Sequence, residues 1–404
     1  MTQHEVFPSI LDNDLYKFTM QYAVLQHYKD AQVVYQFTNR EKELHLNDEA
    51  MQWLSKQIQT LDRLQLTEDE HKYIASQPIF DASYADYLRQ FRYRPAEQVK
   101  YEFDSATGDL DLQVIGSWHE TILYEVPLLA LISEAYFRFV DQDWNYDNQH
   151  ENAYKKATEL LQYGCRFSEF GTRRRRDFKT QDTVMGAIIQ AAQANKDAPS
   201  GFSGTSNAYF AKKYNVPVIG TIAHEFFMAV SALEGVQHAN AITLNKWYDT
   251  YPTAVGIALT DTFTTEVFLR DFDKDLATKY GAVRQDSGDA AEFIQRMLEH
   301  YKSLGIDPAT KMIVFSDALD VERAKKLQDL CNQAGIRASF GIGTSLTNDF
   351  RRASNPAEKS KPMNIVIKMK YCNNKRVIKL SDDVLKHSAS DDLVEKLKKE
   401  LNIV

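Results

Sequence analysis

Residues 312 to 317 read Met312-Ile313-Val314-Phe315-Ser316-Asp317, and Val321 to Ala334 follows with helical spacing. Consecutive apolar residues without alternation have the character of a strand buried on both faces of a parallel sheet. A hydroxyl and a carboxylate stand just past its end. The same unit recurs in both directions along the chain. Upstream lie Arg284-Gln285-Asp286-Ser287-Gly288-Asp289 before a helical stretch to Leu304, Thr260-Asp261-Thr262, and Val216-Pro217-Val218-Ile219 leading to Ile222-Ala223-His224-Glu225. Further upstream are Gly201-Phe202-Ser203-Gly204-Thr205-Ser206 and Ser168-Glu169-Phe170-Gly171-Thr172-Arg173, and downstream is Phe340-Gly341-Ile342-Gly343-Thr344. Six or seven βα units, with polar or glycine-bearing tips just past the strands, predict an α/β fold containing an irregular β/α barrel. A doubly wound open sheet is the alternative.

This rhythm begins near residue 160 and stops after Asp349. The first part of the chain instead mixes a helix over Asp12 to Tyr28, a strand over Val33 to Phe37 and polar helical hairpins from Glu41 to Leu66. Past Asp349 the chain turns Lys-rich, and Asn364 to Lys368 and Arg376 to Leu380 flank Asn373-Asn374 as a hairpin. The expected organisation is an N-terminal α+β domain over 1–130, the barrel-like domain over 131–348, and a tail over 349–404 that packs back on the first domain.

Composition narrows the function classes. The chain has 404 residues, 44% hydrophobic and 26% charged, which excludes wholesale disorder. Its net charge of −8 argues against a global grip on nucleic acid or an anionic membrane. Three widely spaced cysteines fit a reducing compartment rather than a disulfide framework or a zinc site. The N-terminus lacks a basic head followed by an apolar run, and no stretch approaches the roughly 20 apolar residues of a membrane helix. A cytoplasmic location is expected.

Each tip has a plain structural reading beside a chemical one. Gly341-Ile342-Gly343-Thr344 suits either a tight turn or a backbone cradle for phosphate. Asp289 or Ser287 could simply cap a helix, but Asp261, Asp286, Asp317 and Arg284 on neighbouring strand ends suit sugar hydroxyls, Mg²⁺ water and phosphate. Arg173 to Arg176 are consecutive arginines, ordinarily a solvated face; in an acidic chain, behind Phe170-Gly171-Thr172, they fit a local anion pocket better. His224-Glu225 begins like a zinc-protease motif, but Met228 stands where the second histidine would be. His224 is left able to act as base, acid or phosphoryl acceptor.

Taken together, Asp14-Leu15-Tyr16-Lys17, Glu169-Phe170-Gly171-Thr172-Arg173-Arg174, Gly204-Thr205-Ser206-Asn207, Thr221-Ile222-Ala223-His224-Glu225, Arg284 to Asp289 and Gly341 to Ser345 resemble the nicotinate phosphoribosyltransferases in their bacterial ATP-stimulated form. The resemblance implies an NAD-salvage enzyme, of ligase or glycosyltransferase type. It would join nicotinate to phosphoribosyl pyrophosphate with ATP hydrolysis, aided by Mg²⁺ carried on substrate phosphates, in a homodimer with shared active sites. His224 would be the phosphorylated histidine and Asp261 the carboxylate holding it. Phe170 and Tyr16 would sandwich the pyridine ring, Tyr16 arriving from the other subunit. Arg173 and Arg284 would lie near base and phosphates, Asp286 on the ribose hydroxyls, with Ser287 and Asp317 among the substrate contacts. Gly341, Gly343 and Thr344 would cradle the 5′-phosphate. Arg175 and Arg176 receive no role.

A nicotinamide enzyme is the nearest competitor. The matching position there carries Asp, which would repel nicotinate's carboxylate, whereas Ser206 favours the acid. An aldolase or isomerase would need a Lys or Glu base at a strand end, and these tips offer no lysine; a non-enzymatic binder using the arginine run fits poorly with the acidic total and the carboxylate-rich mouth.

Overall fold

The computed structural model describes residues 6–252, 256–383 and 388–403. The reading of the N-terminus as leaderless rests partly on residues 1–5, which lie outside this range.

Two sheets organise the chain. Strands β1 (Gln32–Asn39), β2 (Val99–Asp104) and β3 (Asp109–Ser117) belong to an antiparallel sheet. The parallel sheet contains β4 (Phe167–Glu169), β5 (Phe202–Thr205), β6 (Ile257–Leu259), β7 (Ala282–Gln285), β8 (Met312–Phe315) and β9 (Arg337–Ile342), in the order β5-β4-β9-β8-β7-β6. A short ribbon, β10 (Phe350–Arg351) with β11 (Lys359–Ser360), leads to β12 (Ile365–Cys372) and β13 (Lys375–Arg376), which complete the first sheet in the order β13-β12-β1-β3-β2. Burial on β12 alternates, with Ile365, Ile367 and Met369 inward, so this strand has the half-covered pattern of an antiparallel sheet. On the parallel sheet Ile313, Val314 and Phe315 are all buried, as the unbroken apolar run requires.

The parallel strands expected from the tips are present with one exception. Val216–Ile219 is not a strand but an extended segment that bridges the two sheet edges. Thr205 pairs with Val218, Ile219 N donates to Thr205 O at 2.8 Å, and Thr221 Oγ1 donates to Ile257 O at 2.8 Å. Pro217 offers no N–H to a ladder, so regular pairing stops there. The ring of strands is therefore closed irregularly.

The C-terminal hairpin also differs from expectation. Asn373 and Asn374 both have positive φ (45° and 61°), as a tight two-residue turn demands. The returning strand ends after Arg376, however, because Leu380 N donates to Thr262 O at 2.9 Å. That bond draws the tail onto the polar end of β6. Among the described residues no helix is long and apolar enough to cross a membrane.

Candidate active site

His224 is the first residue of the helix His224–Glu234, entered from the bridging segment. Its Nε2 lies 2.8 Å from Asp261 Oδ1, just past β6. The other oxygen of Asp261 accepts from Ser287 Oγ at 2.6 Å and from Lys379 Nζ at 3.0 Å. Both Asp261 and Lys379 are buried. Burial opposes the charge on Asp261, but the imidazole, the ammonium and the Ser287 hydroxyl hold its carboxyl well below the usual carboxylate range. Burial, reinforced by Lys379, pushes His224 down and outweighs the pull of Asp261. The imidazole is thus neutral near pH 7. With Nε2–H donating to the carboxylate, the Nδ1 lone pair is the nucleophilic one.

Asp286, past β7, brings Oδ2 to 3.8 Å from His224 Nε2, and its Oδ1 accepts from Arg284 Nη2 at 3.0 Å and Ser316 Oγ at 2.6 Å. Arg284 Nε also donates to Ser316 Oγ at 2.7 Å. Burial works against the Asp286 charge, but Arg284, His224 and Lys379 together outweigh it and hold the carboxyl well below its usual range, so the group is ionised. His224, Asp261 and Asp286 place one ligand atom each within 4.8 Å of one another. Asp317 is half-buried one strand further along, where the bonds of the cluster run through its neighbour Ser316. Ser287 is buried beside Asp261 and also meets Ser381 Oγ at 2.9 Å. Asp289 takes the plain reading, capping the next helix through Glu292 N at 2.8 Å.

A second group gathers where the first helix meets β5. Leu15 N donates to Ser206 O at 2.7 Å, and Ser206 Oγ lies 2.7 Å from Asp14 Oδ1. The Arg173 guanidinium stands 5.9 Å from the Tyr16 ring centroid. All of these contacts lie within one chain, at the start of the helix Leu15–His27. Phe170 follows β4, with its N donating to Ile342 O at 2.8 Å. A Cβ at Gly341 would meet the Phe170 ring at 2.4 Å, and one at Gly343 would meet its carbonyl oxygen at 2.8 Å. These glycines therefore seat Phe170. Thr344 begins the short helix Thr344–Thr347 just beyond.

The arginine run divides by burial. Arg173 and Arg174 are half-buried, and Arg173 Nη1 pairs with Glu125 at 3.2 Å. Arg175 is buried in a bidentate pair with Asp12 at 2.8 and 2.7 Å. Arg176 is packed over Phe137 at 3.5 Å and Phe350 at 4.2 Å, with Ser360 Oγ as a hydrogen-bond partner, and burial pushes its pKa down to about 9. These last two are structural.

Residues 165–404 match the nicotinate phosphoribosyltransferase (NAPRTase) family, and residues 11–133 match the NAPRTase N-terminal domain. The chain belongs to the nicotinate phosphoribosyltransferase family. It is 47% identical over 399 residues to a probable nicotinate phosphoribosyltransferase of Schizosaccharomyces pombe, covering 97% of each chain. It is 44% identical to the nicotinate phosphoribosyltransferase of Saccharomyces cerevisiae, covering 98% of this chain and 95% of the relative. A crystal structure of a putative nicotinate phosphoribosyltransferase from Saccharomyces cerevisiae superposes with a TM-score of 0.96 at 42% identity over the whole of both chains. That of the Porphyromonas gingivalis nicotinate phosphoribosyltransferase gives 0.91 at 34%, covering 98% of this chain and all of that one.

Three site features of this nicotinate phosphoribosyltransferase family member escape sequence reasoning. Lys379 comes from the tail, and no spacing rule ties it to Asp261. Ser316 stands beside the more conspicuous Asp317. Lys17, buried between Glu125 and Glu225 at 2.5 Å from each, links the carboxylate partner of Arg173 to the residue after His224. Two opposing carboxylates offset the cost of burying that ammonium.

Proposed function

We propose that the protein joins nicotinate to phosphoribosyl pyrophosphate, giving nicotinate mononucleotide and pyrophosphate, with ATP hydrolysed through a phosphohistidine at His224, as a cytoplasmic step of NAD salvage. The observation that carries the ATP-coupled reading is the neutral His224 held by Asp261, itself held by Lys379 and Ser287. Oriented this way, Nδ1 attacks the γ-phosphate of ATP, the bond to the β-phosphate oxygen breaks, and ADP leaves. The phosphorylated imidazole adds negative charge beside Asp286 and Arg284. Its different interaction with substrate- and product-bound states couples hydrolysis to synthesis.

Phosphoribosyl transfer needs no nucleophilic side chain. Oxocarbenium character develops at the anomeric carbon and charge collects on the departing pyrophosphate, so the protein mainly positions the base and stabilises charge. Tyr16 and Phe170 flank the base, Arg173 and Ser206 meet its carboxylate, Asp286 takes the ribose hydroxyls, and Arg284 with the tip at Gly343-Thr344 takes phosphate. The oxygen-rich donor set at Asp286 and Asp261 fits a hard cation, and Mg²⁺ when bound supplies charge neutralisation on the substrate phosphates. The three buried free cysteines accord with a reducing compartment.

Labelling with γ-phosphate-labelled ATP tests the reading. The wild type should acquire an acid-labile, base-stable label and His224→Asn none, with slow phosphoribosyl transfer retained in the variant. A label that persists in His224→Asn puts the acceptor elsewhere. Complete loss of transfer in a folded, substrate-binding variant makes His224 essential to the ribose step.

A further inference from the structure

Ser206 has one hydroxyl proton, and in the folded chain its oxygen lies 2.7 Å from Asp14 Oδ1. Asp14 is buried, and it does not cap its own helix with its side chain. Facing it are Arg173 and Thr172 from the tip after β4, Glu169 on β4, Glu125 from the helix Glu125–Phe139, and Tyr16 on its own helix. Arg173, the cation of this group, already has Nη1 on Glu125. If Asp14 is ionised, it takes the Ser206 proton and leaves only lone pairs toward an incoming carboxylate. Two carboxylates would then share one buried corner, which like-charge repulsion forbids.

We infer that Asp14 selects the acid substrate by taking up one proton as nicotinate binds, donating it to Ser206 Oγ so that the Ser206 hydroxyl turns its own proton to the nicotinate carboxylate. This rests on the proposed function, in which Ser206 faces the base. The step balances: one proton enters from solvent with the nicotinate anion, no covalent bond between heavy atoms changes, and the net charge of the corner is unchanged. Asp14 is suited to the task because burial raises its affinity for a proton, an effect that Arg173 only partly offsets. Glu169, another buried carboxyl nearby, is pushed up to about 7 and is the rival proton acceptor. Its oxygens, however, already accept from Thr205 Oγ1, Gly171 N and Gln181 Nε2, and none of those bonds reaches Ser206 Oγ.

Calorimetric titration of nicotinate into the full-length protein, in buffers of different ionisation enthalpy between pH 6 and 9, counts the protons taken up. The wild type should approach one proton per nicotinate at the alkaline end, and its Kd should rise about tenfold per pH unit above the Asp14 pKa. Asp14→Asn mimics the protonated acid, so it should bind nicotinate with no uptake and a flat Kd, whereas Glu169→Gln should keep the uptake. Nicotinate binding to the wild type without uptake overturns the inference. So does uptake that survives in Asp14→Asn, disappears in Glu169→Gln, or accompanies an Asp14→Asn Kd that is weaker at every pH with an unchanged slope. A wild type that neither binds nor turns over nicotinate overturns the proposed function, and this inference with it.

Discussion

Lys379 Nζ lies 3.0 Å from Asp261 Oδ2, although 118 positions separate the two residues. The tail thus supplies the cation that keeps the histidine's carboxylate charged. Lys379 also lowers the His224 pKa, so Lys379→Met should raise it. The acid limb of the pH profile for ATP hydrolysis, where His224 becomes protonated and loses its nucleophilic lone pair, should move to higher pH. Removing one member of a buried pair should also cost about 3–5 kcal/mol, read by denaturant unfolding. An unmoved acid limb would separate Lys379 from the histidine.

Adjacent arginines should respond in opposite ways. Arg175→Met strands Asp12, a buried carboxylate, and should destabilise the protein by about 3–5 kcal/mol. Arg176→Met removes a guanidinium whose Nε and Nη2 have no hydrogen-bond partner and replaces it with apolar volume among aromatic rings. Stability should then be unchanged or higher by about 1–4 kcal/mol, with turnover intact. Equal losses in the two variants would contradict the division of the run.

Gly341→Ala should act on the base site from behind. The new methyl meets the Phe170 ring at 2.4 Å, and overpacking of this kind costs about 1–3 kcal/mol. Turning Phe170 out of its seat relieves the clash, so nicotinate KM should rise about tenfold while the ATPase of the His224 centre persists. Unchanged KM with a raised requirement for phosphoribosyl pyrophosphate would return Gly341 to phosphate binding.

The Tyr16 ring lies beside Arg173 of its own chain. Mixing Tyr16→Ala subunits with Asp286→Asn subunits, each inactive alone, should therefore restore nothing. Regained activity on mixing would require sites built across two chains.

What the sequence discloses about this molecule follows how local the signal is. The parallel strands are legible because each apolar run is continuous and its polar tip lies next to it. His224, Asp261 and Asp286 are recognisable as strand-end chemistry for the same reason. The segment at Val216–Ile219 misleads because it is apolar enough for a strand while Pro217 denies it a ladder. The bond from Ser287 to Asp261 is not legible, because a hydroxyl in a polar tip gives no sign of which neighbouring carboxylate it meets. Lys379 stays hidden since its partner is set by tertiary closure, where Leu380 N meets Thr262 O. The arginine run could not be divided from composition, because Arg175 is set apart by its pair with distant Asp12 and Arg176 by packing on Phe137 and Phe350, and both depend on tertiary contacts.

The account stands most directly on product formation by the purified protein with phosphoribosyl pyrophosphate and either nicotinate or nicotinamide, each with and without ATP. It predicts nicotinate mononucleotide from nicotinate, faster with ATP and accompanied by ADP, and little or no product from nicotinamide. Equal or better use of nicotinamide, or nicotinate turnover indifferent to ATP with no ADP released, would contradict it.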